Sequence, residues 1–272
     1  TTIIAFVTAI AGWVWCRMSP DYARYGVFWR WSWPHWSEQL RLLRIGVPIG
    51  FTFLVDVTSF TFMALFIARL GTESSGGHQI AANLTALMYM MPLAAASATG
   101  VLVGQAIGAQ DPQRARLTGL VGIGGGFAIA CVVALGVWFG REAIAGLYTR
   151  DAHVHAVAVT LLAFVSCYHL CDAVAAIAVS ALRGYKKTVV PMLSNVFSLW
   201  GLGLGGGYVL AFGHAGLPAM GAAGFWIGAT VGMVTGSVVI TLYFLHVSRI
   251  ETQHAASQAY AGMPASMDNQ AR

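Results

Sequence analysis

Long apolar stretches separated by short polar clusters organise this chain. When Asp, Glu, Lys and Arg mark the boundaries, five runs contain at most one charged residue each: 45–68, 74–110, 117–140, 152–182 and 188–248. The sequence GHAGLP at 213–218 divides the last run into two. A helix needs about 20 apolar residues to cross roughly 30 Å of hydrocarbon. The pattern therefore predicts six membrane-spanning helices between residues 45 and 247.

The composition agrees with a membrane protein built from helices. Hydrophobic residues make up 57% of the chain and charged residues 9%, whereas about a quarter of the residues in a soluble protein are charged. The runs are continuously apolar, while the strands of a membrane barrel would show short segments of alternating polarity. We therefore predict an all-α integral membrane protein embedded in a lipid bilayer.

The two ends of the chain differ from the apolar runs. Residues 1–16 are apolar but short, without an initial Met or a basic start, so we interpret them as the clipped end of another membrane helix rather than a signal peptide. The sequence is thus expected to be a fragment of a longer chain. Residues 17–44, rich in Trp and Arg, are predicted to be a cytoplasmic loop at the membrane interface. Residues 248–272 are predicted to be a polar, disordered cytoplasmic tail.

Basic residues predict the orientation of the spans. Assigning alternate loops to one side leaves only Arg69, Arg141 and Arg150 on the other. Because basic residues accumulate on the cytoplasmic side, we predict a multi-pass protein of the inner membrane with a cytoplasmic C-terminus. This rule accounts for most of the net charge of +5 without a nucleic-acid partner. The residues assigned to the cytoplasm are Arg17, Arg24, Arg30, Arg41, Arg44, Arg114, Arg116, Arg183, Lys186, Lys187, Arg249 and Arg272.

Two carboxylates interrupt the apolar runs. Counted from the nearest Arg at 1.5 Å per residue, Asp56 and Asp172 both lie roughly 16–20 Å from a membrane face. A charge at that depth costs about 2.5–3.5 kcal/mol on insertion scales, so such residues face an interior or a water-filled cavity and usually function there. The charge pattern places no Lys or Arg inside the spans to neutralise these acids. We therefore expect the acids to hold a proton or to attract a mobile cation.

Several neighbours of these acids are candidates for the same site. Tyr168 precedes Asp172 by one helical turn and shares its face, so it is placed to orient or coordinate a cation beside it. His169 lies three residues before Asp172 and is a candidate for the substrate cavity, although a polar packing role is the alternative.

Two prolines and a cluster of soft side chains suggest bends and a cavity. Pro48 and Pro92 lie inside predicted spans, where proline frees a backbone carbonyl and kinks the helix; a static kink and a moving hinge both fit. Met88, Tyr89 and Met91 follow one another just before Pro92. They are candidates for lining a cavity that accepts varied apolar ligands, with ordinary core packing as the alternative.

Catalytic and cofactor signals do not emerge from the sequence. Neither HExxH nor GxSxG occurs, and no CxxC spacing indicates zinc or redox chemistry. We therefore predict a protein that is not an enzyme, has no cofactor and has no metal site beyond a mobile cation that Asp172 could hold. The glycine-rich strings GIGGGF and GLGLGG do not open a soluble nucleotide-binding unit and predict close helix packing instead.

The motifs together resemble the multidrug and toxic compound extrusion (MATE) family. GVPIGFTFLVD, HQIAANL, VGQAIGAQDPQRA, ALRGYKKTVVP and the Tyr168/Asp172 pair look like the C-terminal half of its NorM-like branch, from about Arg41 to His246. The resemblance implies one six-helix lobe, plus the end of a preceding helix, of a twelve-helix transporter with two lobes. It also implies that a first, N-terminal lobe is missing here.

The resemblance further implies secondary active efflux. Family members exchange Na⁺ or H⁺ for cationic or amphipathic drugs by alternating access, and Tyr168 and Asp172 match their cation-site pair. The position of Asp56 is usually glutamate in NorM-like members, so Asp56 keeps the charge but has a shorter reach, and Na⁺ and H⁺ both remain open as coupling ions. The alternatives are a lipid-linked oligosaccharide flippase of the same superfamily and a non-functional truncated remnant.

Overall fold

The structure, a computed structural model, describes residues 2–19, 35–214 and 216–261. These residues form helices joined by turns, and six helical segments are long and apolar enough to cross a membrane. The predicted all-α fold with six membrane-length helices is confirmed. Two compact units, Thr1–Arg44 and Ile45–Arg272, divide the chain. The elements are α1 Thr2–Met18, α2 Trp36–Ala68, α3 Thr72–Gly108, α4 Pro112–Tyr148, α5 Ala152–Gly184, α6 Val189–Asn195, a π-helix Val196–Gly206, α7 Gly207–Phe212 and α8 Ala222–Ala261.

The predicted loop 17–44 differs from the structure at both ends. α1 continues to Met18, and α2 begins at Trp36, so residues 36–44 are the first turns of a helix. These residues are mostly good helix formers, and an exposed Arg41 Nη1 lies 3.3 Å from Glu38 Oε1 in an i,i+3 pair. Charged residues bounded the apolar run but do not break a helix. The remainder of the predicted loop, residues 20–34, lies outside the described residues.

The predicted tail 248–272 is also helical over its first part. α8 extends through Ala261, and Thr252 Oγ1 donates a 2.7 Å hydrogen bond to the carbonyl of Ser248, one turn earlier. Alanine and other helix-compatible residues continue the last span beyond its apolar run, because loss of hydrophobicity does not by itself end a helix. The prediction of disorder was therefore wrong for residues 248–261, while residues 262–272 lie outside the described residues.

Acidic residues cap the two helices that follow tight turns. Asp111 precedes α4 and accepts a 2.9 Å hydrogen bond from the backbone N–H of Arg114. Asp151 precedes α5 and accepts hydrogen bonds from the backbone N–H groups of His153, at 2.8 Å, and Val154, at 3.1 Å. The N–H groups of Val154 and His153 hold the pKa of the Asp151 carboxyl below its usual value. These caps satisfy free backbone donors and fix where each helix begins.

The second unit is built around α5, which packs against α3, α4 and α8. Its Leu161 side chain is 1% exposed in the main core. Glycines allow α3 and α5 to approach closely: a Cβ on Gly100 would lie 2.9 Å from the Ser180 carbonyl oxygen, and one on Gly184 would lie 3.1 Å from the Gly104 nitrogen. Small residues are the usual means of backbone approach between membrane helices. This packing places Asp172 on the central helix.

The fifth span contains a π-helix that the apolar pattern did not predict. Val189–Phe212 is one membrane-length segment. Its middle, Val196–Gly206, lies between α6 and α7 and is a π-helix with i→i+5 hydrogen bonds. GLGLGG, one of the two glycine-rich strings, lies in this π-helix, where the low helix propensity of glycine weakens the preference for α-helical winding. Long π-helices are rare and π-turns occur frequently at functional sites.

Candidate cation site

Two carboxylates from different helices meet inside the second unit. Asp56 lies in α2 and Asp172 lies in α5, and both side chains are half-buried. α2 buries one face at helical spacing, including Thr52, Val55 and Ser59, and Asp56 lies at the edge of that face. The charges of the two carboxylates are close enough to interact. The fold therefore brings together the two acids singled out in the sequence.

Tyr168 completes the predicted trio. Its side chain is 2% exposed, and its ring contacts the rings of Phe60 and Trp226 edge-on, with centroids 6.1 Å apart in each case. It interacts electrostatically with both Asp172 and Asp56. Tyr168 also lines a small cleft together with Ser59 and the π-helix. The phenol is thus held rigidly by aromatic packing beside both acids.

Asp56 has a direct hydrogen-bond partner that the sequence did not suggest. Asn195 Nδ2 donates to Asp56 Oδ1 at 2.6 Å. Asn195 is the last residue of α6, so this bond joins α2 to the start of the π-helix. A signal was present, because Asn195 is a polar amide in an apolar run and polar groups inside a membrane protein need partners. A search restricted to charged residues missed it.

The expectation that no basic residue would accompany the acids was wrong. Arg183 lies in the last turn of α5, is half-buried and interacts electrostatically with Asp56. Its guanidinium carbon lies 5.4 Å from the centroid of the Phe53 ring, one turn before Asp56. The pattern had assigned Arg183 to the loop that ends the run. The physical reason is its long side chain, which can reach back along apolar surface while its charge remains near polar groups.

Asp172 differs from Asp56 in having no such partner. Among the residues that the structure describes, none donates a hydrogen bond to its carboxylate, and Tyr168 and Asp56 are its electrostatic neighbours. An acid without a protein donor retains its capacity to accept from water, a proton or a cation.

The four candidate cavity residues occupy different surroundings. Tyr89 is half-buried and interacts electrostatically with Asp172 and Asp56, so it lies near the carboxylates. Met88 packs in the main hydrophobic core, as the packing alternative expected, and Met91 is 53% exposed. His169 is 1% exposed, and its Nδ1 has no hydrogen-bond partner among the described residues. Only Tyr89 of these four is therefore an electrostatic neighbour of the acids.

The two prolines lie inside helices, as the sequence indicated. Pro48 is in α2 and Pro92 is in α3, and both are buried. Pro48 precedes Asp56 by about two turns on the same helix, and it removes the backbone hydrogen bond to the carbonyl of Arg44. Their role as hinges stays a prediction.

The oxygen atoms at this site suit a hard cation. Carboxylate, amide and hydroxyl oxygens are available from Asp56, Asp172, Asn195 and Tyr168, and hard cations prefer such ligands. Within residues 2–19, 35–214 and 216–261, no group of three or more His, Cys, Asp or Glu side chains is arranged to hold a metal ion.

A helical membrane bundle with paired interior acids is the class of protein that the fold and the site define. The MatE family model matches residues 48–209, which is more than half of the chain. The chain therefore belongs to the MatE family, as its motifs predicted.

Similar proteins agree with this assignment. The chain is 41% identical to the probable multidrug resistance protein NorM of Aromatoleum aromaticum over 88% of its length and 52% of the relative's. It is 36% identical to the multidrug resistance protein MdtK of Photorhabdus laumondii, over 78% of its own length and 46% of that protein. The chain thus spans about half the length of these curated relatives.

Solved structures share the fold. The MATE transporter VcmN of Vibrio cholerae in its bent form superposes with a TM-score of 0.76 at 19% identity, over 90% of this chain and 55% of that chain. The eukaryotic MATE transporter AtDTX14 gives a TM-score of 0.75 at 19% identity, over 89% of this chain and 54% of that chain. This chain covers about half of each solved chain, which is consistent with the predicted architecture of one half of a twelve-helix protein.

Proposed function

We propose that this chain forms one lobe of a secondary active multidrug exporter that exchanges Na⁺ or H⁺ for cationic or amphipathic compounds. The observation that carries the proposal is the meeting of Asp56 and Asp172 inside a membrane-length bundle. Paired acids at that depth are costly unless they bind a mobile charge. Membership of the MatE family supports the same role.

Within this proposal, Asp172 and Asp56 bind the driving cation and Tyr168 orients it. Asp172 offers an unpartnered carboxylate, and Tyr168 lies one turn away on the same helix. Tyr89 lies near both acids and is placed to contact a cationic substrate. Export then follows if cation binding and drug binding favour opposite-facing states, because a ligand shifts a conformational equilibrium only through its differential affinity.

The complete transporter requires a second lobe. Alternating access arises when two repeats rock around a site at their interface, and this chain contains one six-helix lobe. We expect the chain expressed alone to insert into the membrane without conferring drug resistance, and co-expression with a matching first lobe to restore some resistance. Resistance from the chain alone would indicate that a second copy supplies the other half.

Gradient-driven export is the direct test. The two-lobe transporter, reconstituted in vesicles, is supplied with a fluorescent organic cation and either a Na⁺ gradient or a proton gradient, each imposed separately. We expect one gradient to drive movement of the dye against its concentration, and the matching ionophore to abolish it. Movement that ignores both gradients would contradict cation antiport.

The proposed orientation follows the distribution of basic residues. Reporter fusions after Arg116 and after Lys187 should read cytoplasmic, and a fusion near Ser74 should read the opposite side. The reverse pattern would contradict the inner-membrane topology with a cytoplasmic C-terminus.

A lipid-linked oligosaccharide flippase is the second candidate. Such a protein needs positive charge around its cavity for anionic headgroups, and of the described groups only Arg183 contributes a favourable positive charge at Asp56. Two acids against one base favour a cationic substrate. Translocation of a fluorescent lipid-linked oligosaccharide, with no gradient-driven dye export, would reverse this preference.

A further inference from the structure

We propose that Asn195 transmits cation binding at Asp56 into the π-helix Val196–Gly206, so that the cation-free and cation-bound lobes differ in the winding of that helix. This inference rests on the proposed function, because it requires a cation to bind at the paired acids. It assigns Asn195 as a positioning residue that acts through Asp56.

The geometry begins with the hydrogen bond itself. The Asn195 amide donates to the Asp56 carboxylate at 2.6 Å in a half-buried position. Hydrogen bonds to an ionised carboxylate are roughly twice as strong as neutral ones. A proton on Asp56 removes that charge assistance, and a metal cation competes for the same carboxylate oxygen. Either cation therefore weakens the attachment of Asn195 to α2.

Asn195 is the point at which the winding of the fifth span changes. α6 ends at Asn195, and Val196 begins the π-helix. A π-helix bonds residue i to i+5 instead of i+4. If part of it rewinds as an α-helix, the residues that follow therefore change their position along and around the helix axis. Loss of one such offset turns the following residues by about 100° and advances them by about 1.5 Å.

Two further contacts attach the same stretch of α2 to the π-helix. Ser59 Oγ donates a 3.2 Å hydrogen bond to the Leu199 carbonyl oxygen, and Trp200 Nε1 donates to Thr58 Oγ1 at 3.2 Å. With Asp56, these contacts place one turn of α2, residues 56–59, against residues 195–200. The backbone of α2 comes near the other described helices at few points. Side-chain contacts, which include these hydrogen bonds and the buried apolar residues of α2, thus link this helix to the rest of the lobe.

The π-helix also packs closely against α8, which limits how its winding can change. It faces glycines of α8: a Cβ on Gly232 would clash with the Ser198 carbonyl oxygen, and one on Gly228 would lie 2.7 Å from the Gly203 carbonyl oxygen. Backbone therefore packs against backbone. No side chain fits between the two backbones, so a change in winding has to slide the π-helix along these glycines or move it away from α8.

Rewinding would also reach the other acid. Leu199 and Gly203 of the π-helix line the same cleft as Ser59 and Tyr168, and Tyr168 interacts electrostatically with Asp172. A shift of these residues changes the wall of the cleft that Tyr168 lines. One hydrogen bond at Asn195 thereby connects cation occupancy with the shape of the cleft.

Hydrogen exchange across residues 196–206 of the two-lobe transporter in lipid nanodiscs provides the test. Exchange is measured with Na⁺ and with N-methylglucamine at equal ionic strength, and separately at two pH values after correction for intrinsic rates. We expect the driving cation to change exchange in this segment at least about threefold in the wild type. In Asn195→Leu, which keeps similar volume without the amide, that response should fall below about twofold.

Asn83→Leu is the matched control, because Asn83 is also a hydrogen-bonded amide, accepting from the Tyr148 hydroxyl at 2.9 Å, but on the exposed surface of α3. It should retain the wild-type response. Asn195→Gln, which keeps the amide, should recover part of the response and thereby separate loss of coupling from misfolding.

The outcomes distinguish this inference from the proposed function. If the wild type exports dye on a cation gradient but exchange at 196–206 ignores the cation, the Asn195 link is wrong and cation antiport stands. The same conclusion follows if Asn195→Leu keeps the full response. If no gradient drives export, the proposed function fails, and the inference that rests on it fails too.

Discussion

The two interior acids share a residue type but not a setting. Asp172 lies on α5, the central helix, and no described residue donates a hydrogen bond to it. Asp56 lies on α2 and has both a 2.6 Å hydrogen bond from Asn195 and the nearby charge of Arg183. α5 packs along three helices, whereas α2 is linked to the other described helices mainly by side chains. The acid without a hydrogen-bond partner is therefore on the helix with close backbone packing, and the partnered acid is on a helix whose backbone approaches its neighbours at few points.

This difference suggests distinct roles for the two carboxylates. A carboxylate without hydrogen-bond donors from the protein has both oxygens available to an incoming cation. An acid that is already partnered must exchange one interaction for another, so its binding event changes the protein around it. We therefore propose that Asp172 is the binding charge and that Asp56 is the acid that converts occupancy into movement.

The largest effect is expected from Asp172→Asn in the two-lobe transporter. The substitution keeps size and hydrogen-bonding capacity but removes the charge, so insertion should survive or improve. Gradient-driven export of a fluorescent cation from vesicles should fall to background, because the driving cation loses its unpartnered ligand. Protein amounts are matched before rates are compared.

Asp151→Asn is the control for Asp172→Asn. Asp151 is an exposed carboxylate at the start of α5, and asparagine caps a helix about as well as aspartate. Export should stay at the wild-type rate. Wild-type export in Asp172→Asn would mean that this acid is only structural and would remove the basis of the comparison.

Asp56→Asn should also abolish most gradient-driven export, because the two acids interact electrostatically and are proposed to bind the same cation. Asp56→Glu sharpens the comparison, since it keeps the charge and adds one methylene. We expect Glu to retain export while shifting the cation concentration for half-maximal rate. Equal losses of export in Asp56→Asn and Asp56→Glu would show that the hydrogen-bond geometry with Asn195, rather than the charge, is what matters at this position.

The sequence was sufficient for the helices but not for their ends. Hydrophobicity reports where lipid can surround a helix, so the six spans followed directly from the apolar runs. It does not report where the backbone stops being helical, and so α2 starts at Trp36 and α8 continues to Ala261 beyond the predicted limits. The π-helix was not predicted for a similar reason, because the apolar pattern does not distinguish i→i+4 from i→i+5 hydrogen bonding.

At the site, the acids could be predicted and their partners could not. Asp56 and Asp172 stand out because charge in an apolar run is rare and costly. Asn195 carries no charge, and Arg183 lies at the end of its run, so each resembles an ordinary helix residue until the fold brings it to Asp56. Long-range pairing of this kind depends on helix packing, which one sequence does not encode in any local pattern.

Tyr168→Phe tests how much of the site depends on charge alone. The ring keeps its edge-on contacts with Phe60 and Trp226, so only the hydroxyl is lost. Loss of one neutral hydrogen-bonding group should raise the cation concentration for half-maximal export by about two- to tenfold. Thermal stability should change little. A loss as complete as that of Asp172→Asn would indicate that the phenol is an essential ligand.

The smallest effect is expected from Arg183→Gln, and its sign separates the two acids. The Arg183 charge favours an empty, ionised Asp56 and competes with an incoming cation. Its removal should therefore strengthen cation binding, lowering the half-maximal concentration by about two- to fivefold, the scale of a partly exposed ion pair. Arg183→Lys should leave the half-maximal cation concentration nearly unchanged.

Because the effect of Arg183→Gln acts through Asp56, it should disappear in an Asp56→Asn background when binding is measured by cation-dependent dye displacement. Weaker cation binding in Arg183→Gln would instead mean that Arg183 stabilises the lobe as a whole, and that the environment of Asp56 is not what distinguishes it from Asp172.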